Sequence, residues 1–156
     1  PDSLQQASHE LSKASGIDVA YFGWRLVSPS GRTVERQARK PSYIWHGLPA
    51  NQQATLYRRG LLADSPLVPR EFPICGDYWM SANLLVGGAR AASFPLVLSD
   101  FYLGGVSSRE WQRNMLESIR IQRSVLGLAR WKVLMSAGKR LISITGARVL
   151  ASVPRG

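Results

Sequence analysis

Residues 72–108 read FPICGDYWMSANLLVGGARAASFPLVLSDFYLGGVSS, and this stretch decides the fold. Asp77 stands where an apolar helix begins, and Gly87-Gly88 stop that helix as a C-cap does. The run from Phe94 to Leu103 predicts a strand broken only by Asp100. Gly104 and Gly105 then predict a tight turn, where two glycines adopt backbone conformations closed to other residues and let a ligand come close. A helix this apolar must be buried, and a sheet that includes the following strand is the natural partner, so the class is α/β. An aspartate at the start of such a helix is a candidate general base, because the helix N-terminus holds it charged and in one orientation. Flanking Tyr78 and Trp79 exclude water and raise its pKa. The bland alternative is an N-cap, a role in which Asp is among the preferred residues. Asp100 is a second candidate site residue.

Upstream, residues 2–14 predict a helix with Leu4, Ala7 and Leu11 on one stripe, capped by Asp2 or Ser3 and stopped at Gly16. Ile17–Val27, IDVAYFGWRLV, is rich in aromatic and β-branched residues and predicts a strand. Residues 28–32 are a turn, and 33–40 an edge strand or loop. Residues 47–59, GLPANQQATLYRR, predict a short strand in which Ala54, Leu56 and Tyr57 pack while Arg58 and Arg59 face water. Pro66 and Pro69 predict an extended loop from Leu62 to Glu71. His9 reads as a solvated helix residue and His46 as a loop residue.

The chain has 156 residues, 45% of them hydrophobic, which suits one domain with a real core and excludes wholesale disorder. No run of eighteen apolar residues predicts a membrane span. The chain opens on Pro-Asp without Met, and no secretory leader is expected. A single cysteine, Cys75, and two distant histidines argue against a Cys/His metal site. The net charge of +10 is uneven: residues 1–108 hold ten Lys/Arg against eight Asp/Glu, whereas 109–156 hold ten against two. The tail therefore calls for an anionic partner.

That tail predicts two amphipathic helices. The first begins near Arg109, capped by Ser107 or Ser108, with Trp111, Met115, Ile119, Gln122 and Leu126 on its inner side and Glu117, Arg120 and Arg123 on others. The second carries Trp131, Leu134, Met135, Leu141 and Ile142 with Arg130, Lys132, Lys139, Arg140 and Arg148. A basic amphipathic helix with Trp reads as a membrane-surface anchor. The alternative is a helix packed back on the domain with its basic face in water.

Four motifs stand in order: Asp18-Val19-Ala20-Tyr21-Phe22-Gly23-Trp24 with Ser28-Pro29-Ser30-Gly31, Gln53-Ala54-Thr55 with Arg58-Arg59, Cys75-Gly76-Asp77-Tyr78, and Gly104-Gly105-Val106-Ser107-Ser108. Together they resemble the C-terminal half of a family 2 glycosyltransferase of the GT-A type. Three positions depart from the family pattern: Gln52 stands where His is common, Trp79 replaces a second acidic residue, and Asn83 replaces an arginine. The resemblance implies a C-terminal portion of a GT-A fold, a mixed sheet with helices over residues 1–108, followed by a basic helical tail over 109–156. It implies Asp77 as the catalytic base, with Tyr78, Trp79, Gln52, Gln53, Arg58, Asp100, Gly104 and Gly105 on the substrate side. It further implies inverting transfer from a nucleotide-sugar donor to a saccharide or lipid-linked acceptor, in cell-surface polysaccharide or glycolipid synthesis. A divalent cation, Mg2+ or Mn2+, is expected in the full-length protein, its ligands lying in a half absent here, so this chain alone is expected to be inactive. A cytoplasmic enzyme, peripheral at the inner face of the plasma membrane, fits that picture, and no nucleic acid is expected. The readings left standing beside it are a non-enzymatic basic module binding anionic membrane or nucleic acid, and a catalytically inactive relative.

Overall fold

Strand β1 (Val19–Val27) is the hub of the sheet. Its first half, Val19 to Phe22, is buried at every position and reads as a continuous apolar run, as strands covered on both faces do. The computed structural model describes residues 2–28, 31–63, 68–102 and 109–152, with side chains up to residue 142. One edge of β1 pairs in parallel with β4 (Ala91–Tyr102) along its whole length. Its other edge is shared by two short antiparallel strands, β3 (Thr55–Tyr57) against Val19–Tyr21 and β2 (Thr33–Arg36) against Trp24–Val27. The fold is α/β, built on this four-strand mixed sheet.

The register between β1 and β4 slips: Phe22 lies opposite Phe94, but Trp24 lies opposite Ser99. Pro95 falls in the slip, where its missing N–H costs no ladder bond. Gly23 faces the same irregularity. A Cβ there would lie 2.9 Å from the Arg36 carbonyl oxygen and 3.3 Å from that of Leu96, both backbone atoms. Gly23→Ala is expected to destabilise the chain by about 1–3 kcal/mol, the usual cost of overpacking. Urea denaturation checks this; a loss under about 0.5 kcal/mol, the scale of a surface change, would show that the backbone yields freely.

Helix α1 (Asp2–Lys13) buries Ala7, with Leu11 partly buried, and the chain turns at Gly16, whose φ is +76°. Leu4, expected on the same stripe, is 63% exposed, because α1 touches the sheet only over its middle and end. A short helix α2 (Arg59–Ala63) occupies the start of the predicted loop; the prolines both follow Ala63 and do not interrupt it.

Helix α3 (Gly76–Val86) lies between two apolar clusters. Leu84 and, in part, Met80 join Val19, Ala20, Tyr21, Phe22, Ala50 and Ala54 on the sheet side. Tyr78, Trp79 and Ala82 join Phe72, Cys75 and Ile121 on the other. That double burial explains why the helix is apolar on nearly all sides. Its N-cap is Cys75, so Asp77 is the second helical residue rather than the cap itself, though its carboxylate still serves a first-turn amide, that of Tyr78. The C-terminus ends as expected: Gly88 takes φ +90° and the Ala89 N–H returns to the Leu84 carbonyl (3.0 Å).

Helices α4 (Trp111–Ser124) and α5 (Arg130–Ser152) follow, joined through Gly127 at φ +59°. Their packing departs from the apolar-stripe expectation. Helix α4 buries Glu117, Ser118, Ile121 and Gln122, a face rotated from the predicted one, and Glu117 is therefore inside. Helix α5 buries Val133 and Ser136, while Trp131, Leu134, Met135, Leu141 and Ile142 face outward. A polar inner face on α4 selects a polar inner face on α5, since each buried polar atom needs a partner. The turn at Gly104-Gly105 and the capping serines Ser107 and Ser108 lie outside the described residues.

Candidate functional site

A cavity of about 910 Å³ opens at the N-terminal end of α3. Asp77, Cys75 and Tyr78 line it from that helix, and Gln52 and Gln53 from the 3-10 turn that leads into β3. Arg70 and Phe72 come from the segment before α3, Phe101 from β4, Ser118 from α4 and Arg140 from α5.

The backbone ahead of Asp77 is pinned by a residue distant in sequence. Glu117 Oε2 accepts hydrogen bonds from the N–H groups of Ile74 (3.0 Å) and Cys75 (2.8 Å). In a capping box the carboxylate three residues into a helix bonds the N-cap amide; here a neighbouring helix supplies it. The other oxygen, Oε1, is ion-paired with Arg113 Nε at 3.2 Å. Asp77 Oδ1 accepts from the following N–H, that of Tyr78, at 2.7 Å. Burial lifts the Asp77 carboxyl above the ordinary aspartate range, and the N–H groups of Tyr78 and of Asp77 itself partly offset the rise.

Tyr78 is buried and donates its hydroxyl to the Ile44 carbonyl (2.7 Å), and burial pushes its pKa up to about 12. Its phenol is thus an orienting group for α3 as well as part of the cavity wall. Cys75 is also buried, its thiol 3.4 Å from the Asn114 carbonyl oxygen, and burial pushes its pKa up to about 11. It is an inert thiol rather than a nucleophile.

A second buried polar cluster seats α5. His46 Nδ1 lies 2.8 Å from Ser136 Oγ, and Gln122 Nε2 donates to the same oxygen at 2.8 Å and to the Trp45 carbonyl at 3.0 Å. Ser136 Oγ, which also lies 3.5 Å from the His46 carbonyl oxygen, is thus the point where His46 and Gln122 meet α5. Burial, with Arg140, Lys139 and Arg39 nearby, pushes the His46 pKa down to about 4, so the ring is neutral at neutral pH. The predicted loop residue is in fact a docking point for the C-terminal helix.

Of the predicted site residues, Asp77, Tyr78, Gln52 and Gln53 share this cavity. Trp79 is not in its wall: it packs in the second apolar cluster, stacked on Phe72 with ring centroids 6.5 Å apart. Arg58 lies at the start of β1, bonded to the Ile17 carbonyl (3.0 Å) and ion-paired with Asp18 (3.3 Å). Asp100 is exposed on β4 and pairs with Arg25 at 3.2 Å. Gly104 and Gly105 lie outside the described residues. Arg140, Ser118 and Glu117 were not singled out for this region by sequence reasoning. A spacing of three and four at Val133, Ser136 and Arg140 was the available signal, hidden by the more conspicuous apolar stripe beside it.

Among the described residues no three His, Cys, Asp or Glu side chains gather where a metal ion could sit. No described helix is long and apolar enough to cross a membrane. Comparison with protein-family models, with curated proteins and with solved structures found no match to this chain.

Proposed function

We propose that this chain is the acceptor-side portion of an inverting GT-A glycosyltransferase, with Asp77 as the base. The observation that carries this reading is the position of Asp77: a desolvated carboxylate in the first turn of a doubly buried helix, in the wall of a cavity of about 910 Å³. A sugar hydroxyl is a weak nucleophile and must lose its proton as it attacks. In the proposed reaction the acceptor O–H proton passes to the Asp77 carboxylate while the oxygen bonds to the anomeric carbon of the donor. The anomeric C–O bond to the nucleoside diphosphate breaks, and the leaving group keeps its electron pair. Gln52 and Gln53 line the same cavity and offer amide donors and acceptors to the sugar. The test is sugar transfer by the parent protein from a panel of nucleotide-sugars, wild type beside Asp77→Asn. Undiminished turnover in the variant sinks the assignment.

A specific observation also favours a surface partner for α5. Trp131, Leu134 and Ile142 are 58%, 72% and 75% exposed, opposite the face that holds Val133 and Ser136. Arg130, Lys132 and Lys139 are exposed on the same helix, so the occupant that fits is an anionic lipid bilayer. Each basic residue near an anionic leaflet adds about 1 kcal/mol, so Arg130 and Lys132 give roughly a thirtyfold preference over neutral lipid, Lys139 being turned over the Trp45 ring. The chain is expected to co-sediment with vesicles containing phosphatidylglycerol, to release in high salt, and to lose at least tenfold in affinity in Trp131→Asp/Leu134→Asp. Equal binding to neutral vesicles, or self-association without lipid binding, would overturn this partner.

A further inference from the structure

We propose that Arg140 forms an oxyanion subsite in the wall of this cavity, one that takes the phosphate or carboxylate group of an anionic ligand. The guanidinium reaches the cavity from α5 and is largely enclosed there. It donates from Nη1 to Ser118 Oγ at 2.7 Å and from Nη2 to the His46 carbonyl, both neutral acceptors. Among the described residues no carboxylate pairs with it: Glu117, near its partner Ser118, is held by Arg113 and two backbone amides. Guanidinium carries five N–H donors, and these two bonds do not exhaust them.

The surroundings compensate this cation only in part, through two neutral acceptors and one ring face. The Tyr78 ring lies 6.0 Å from its centre. A Cβ on Gly47 would come within 3.1 Å of Nη2, so the group is pressed against backbone. Arg39 and Lys139 add further positive charge around His46. Burial draws the Arg140 pKa below its usual value, the sign of a charge that has lost more solvation than its neighbours restore. An enclosed guanidinium relieves that cost by taking an oxyanion, for which its planar fork is suited. Asp77 lines the same cavity and makes no ion pair with Arg140, so the cavity presents a base and a separate cation. The matching ligand has a hydroxyl for the first and an oxyanion for the second. The subsite deepens the acceptor reading and rests on it only for the ligand's role as acceptor.

Calorimetric titration of the 156-residue chain at low salt, with pyrophosphate, glycerol phosphate, glucuronate and neutral methyl glucoside, tests it. At least one anionic probe is expected to bind saturably and the glucoside is not; the anion preferred tells a phosphate-bearing from a carboxylate-bearing ligand. Arg140→Gln should weaken that binding by about tenfold or more, the effect of losing charge-assisted hydrogen bonds. Because Arg140 also helps seat α5, Gly47→Asp serves as a second variant: a Cβ there lies 3.1 Å from Nη2, so the new carboxylate sits beside the guanidinium and should weaken anion binding several-fold. Absence of saturable binding, or wild-type affinity in a folded Arg140→Gln or in a folded Gly47→Asp, overturns the subsite. The two readings fail separately. Asp77→Asn with full transfer activity removes the base and leaves the subsite standing, whereas transfer without anion binding removes the subsite alone.

Discussion

Asp77→Asn in the parent protein is expected to lower kcat for sugar transfer by about 10²–10⁴-fold, the range a positioned general base contributes. The amide keeps the shape and one hydrogen-bond acceptor for the Tyr78 N–H but accepts no proton from the sugar hydroxyl. The pH dependence gives a second readout. Burial raises the Asp77 pKa, so the acid limb of the wild-type rate profile should fall at a higher pH than an ordinary aspartate predicts. Stability moves the other way. An acid whose folded pKa is raised holds its proton in the folded chain after the unfolded chain has released it. Stability then falls as pH climbs from the ordinary aspartate value through the raised one. Above that window the ionised, enclosed carboxylate is a net cost that asparagine does not carry. Thermal melts should therefore show the variant at least as stable as wild type at neutral pH, with the difference vanishing in acid. A variant that melts well below wild type at neutral pH would mean that the carboxylate holds the helix together rather than serving chemistry.

Glu117→Ala should produce the largest loss of stability. The buried Cys75 N–H and the part-buried Ile74 N–H lose their acceptor, and an unsatisfied buried donor costs about 1–3 kcal/mol. Taking the first at an intermediate value and the second at the low end gives about 3 kcal/mol, or roughly 6–12 °C in Tm for a chain of this size. Glu117→Gln retains a carbonyl oxygen with two lone pairs and should lose about half as much. The partner Arg113 is largely exposed and can turn to water, so its release adds little. The effect should reach the site as well, because Cys75 is the N-cap of α3 and Asp77 follows two residues later. Differential scanning calorimetry of wild type and both variants checks this. An alanine variant within about 0.5 kcal/mol of wild type would mean that water replaces the carboxylate at those amides.

Local pattern made much of the architecture legible. The apolar density of Val19–Phe22, the alternation of turn residues with β-branched runs, and the Gly87-Gly88 stop identify β1, β4 and α3. Each is a property of a few adjacent residues, and backbone sterics act at that range. The same range covers part of the site. Asp77 and Tyr78 are neighbours on one helix, and Gln52-Gln53 precede a strand that pairs beside them.

Long-range pairing decided the rest. Arg58 reads as a site residue from its motif and Asp100 from its break in an apolar run, yet each is paired with a charge brought near only by the sheet, Asp18 and Arg25. Trp79 reads as a flanking residue that excludes water from Asp77, but the helix turns it into the cluster with Phe72. Glu117 and Arg140 read as solvated charges on amphipathic helices. They are enclosed because the backbone ahead of α3 and the carbonyl of His46 offer them partners. By itself, then, the sequence determined the principal helices and strands, α2 excepted, and that an aspartate opens the buried helix. Only the tertiary structure decided which way α4 and α5 face and which charges meet, because a buried polar group goes where its hydrogen-bond partner is, and that partner can lie anywhere along the chain.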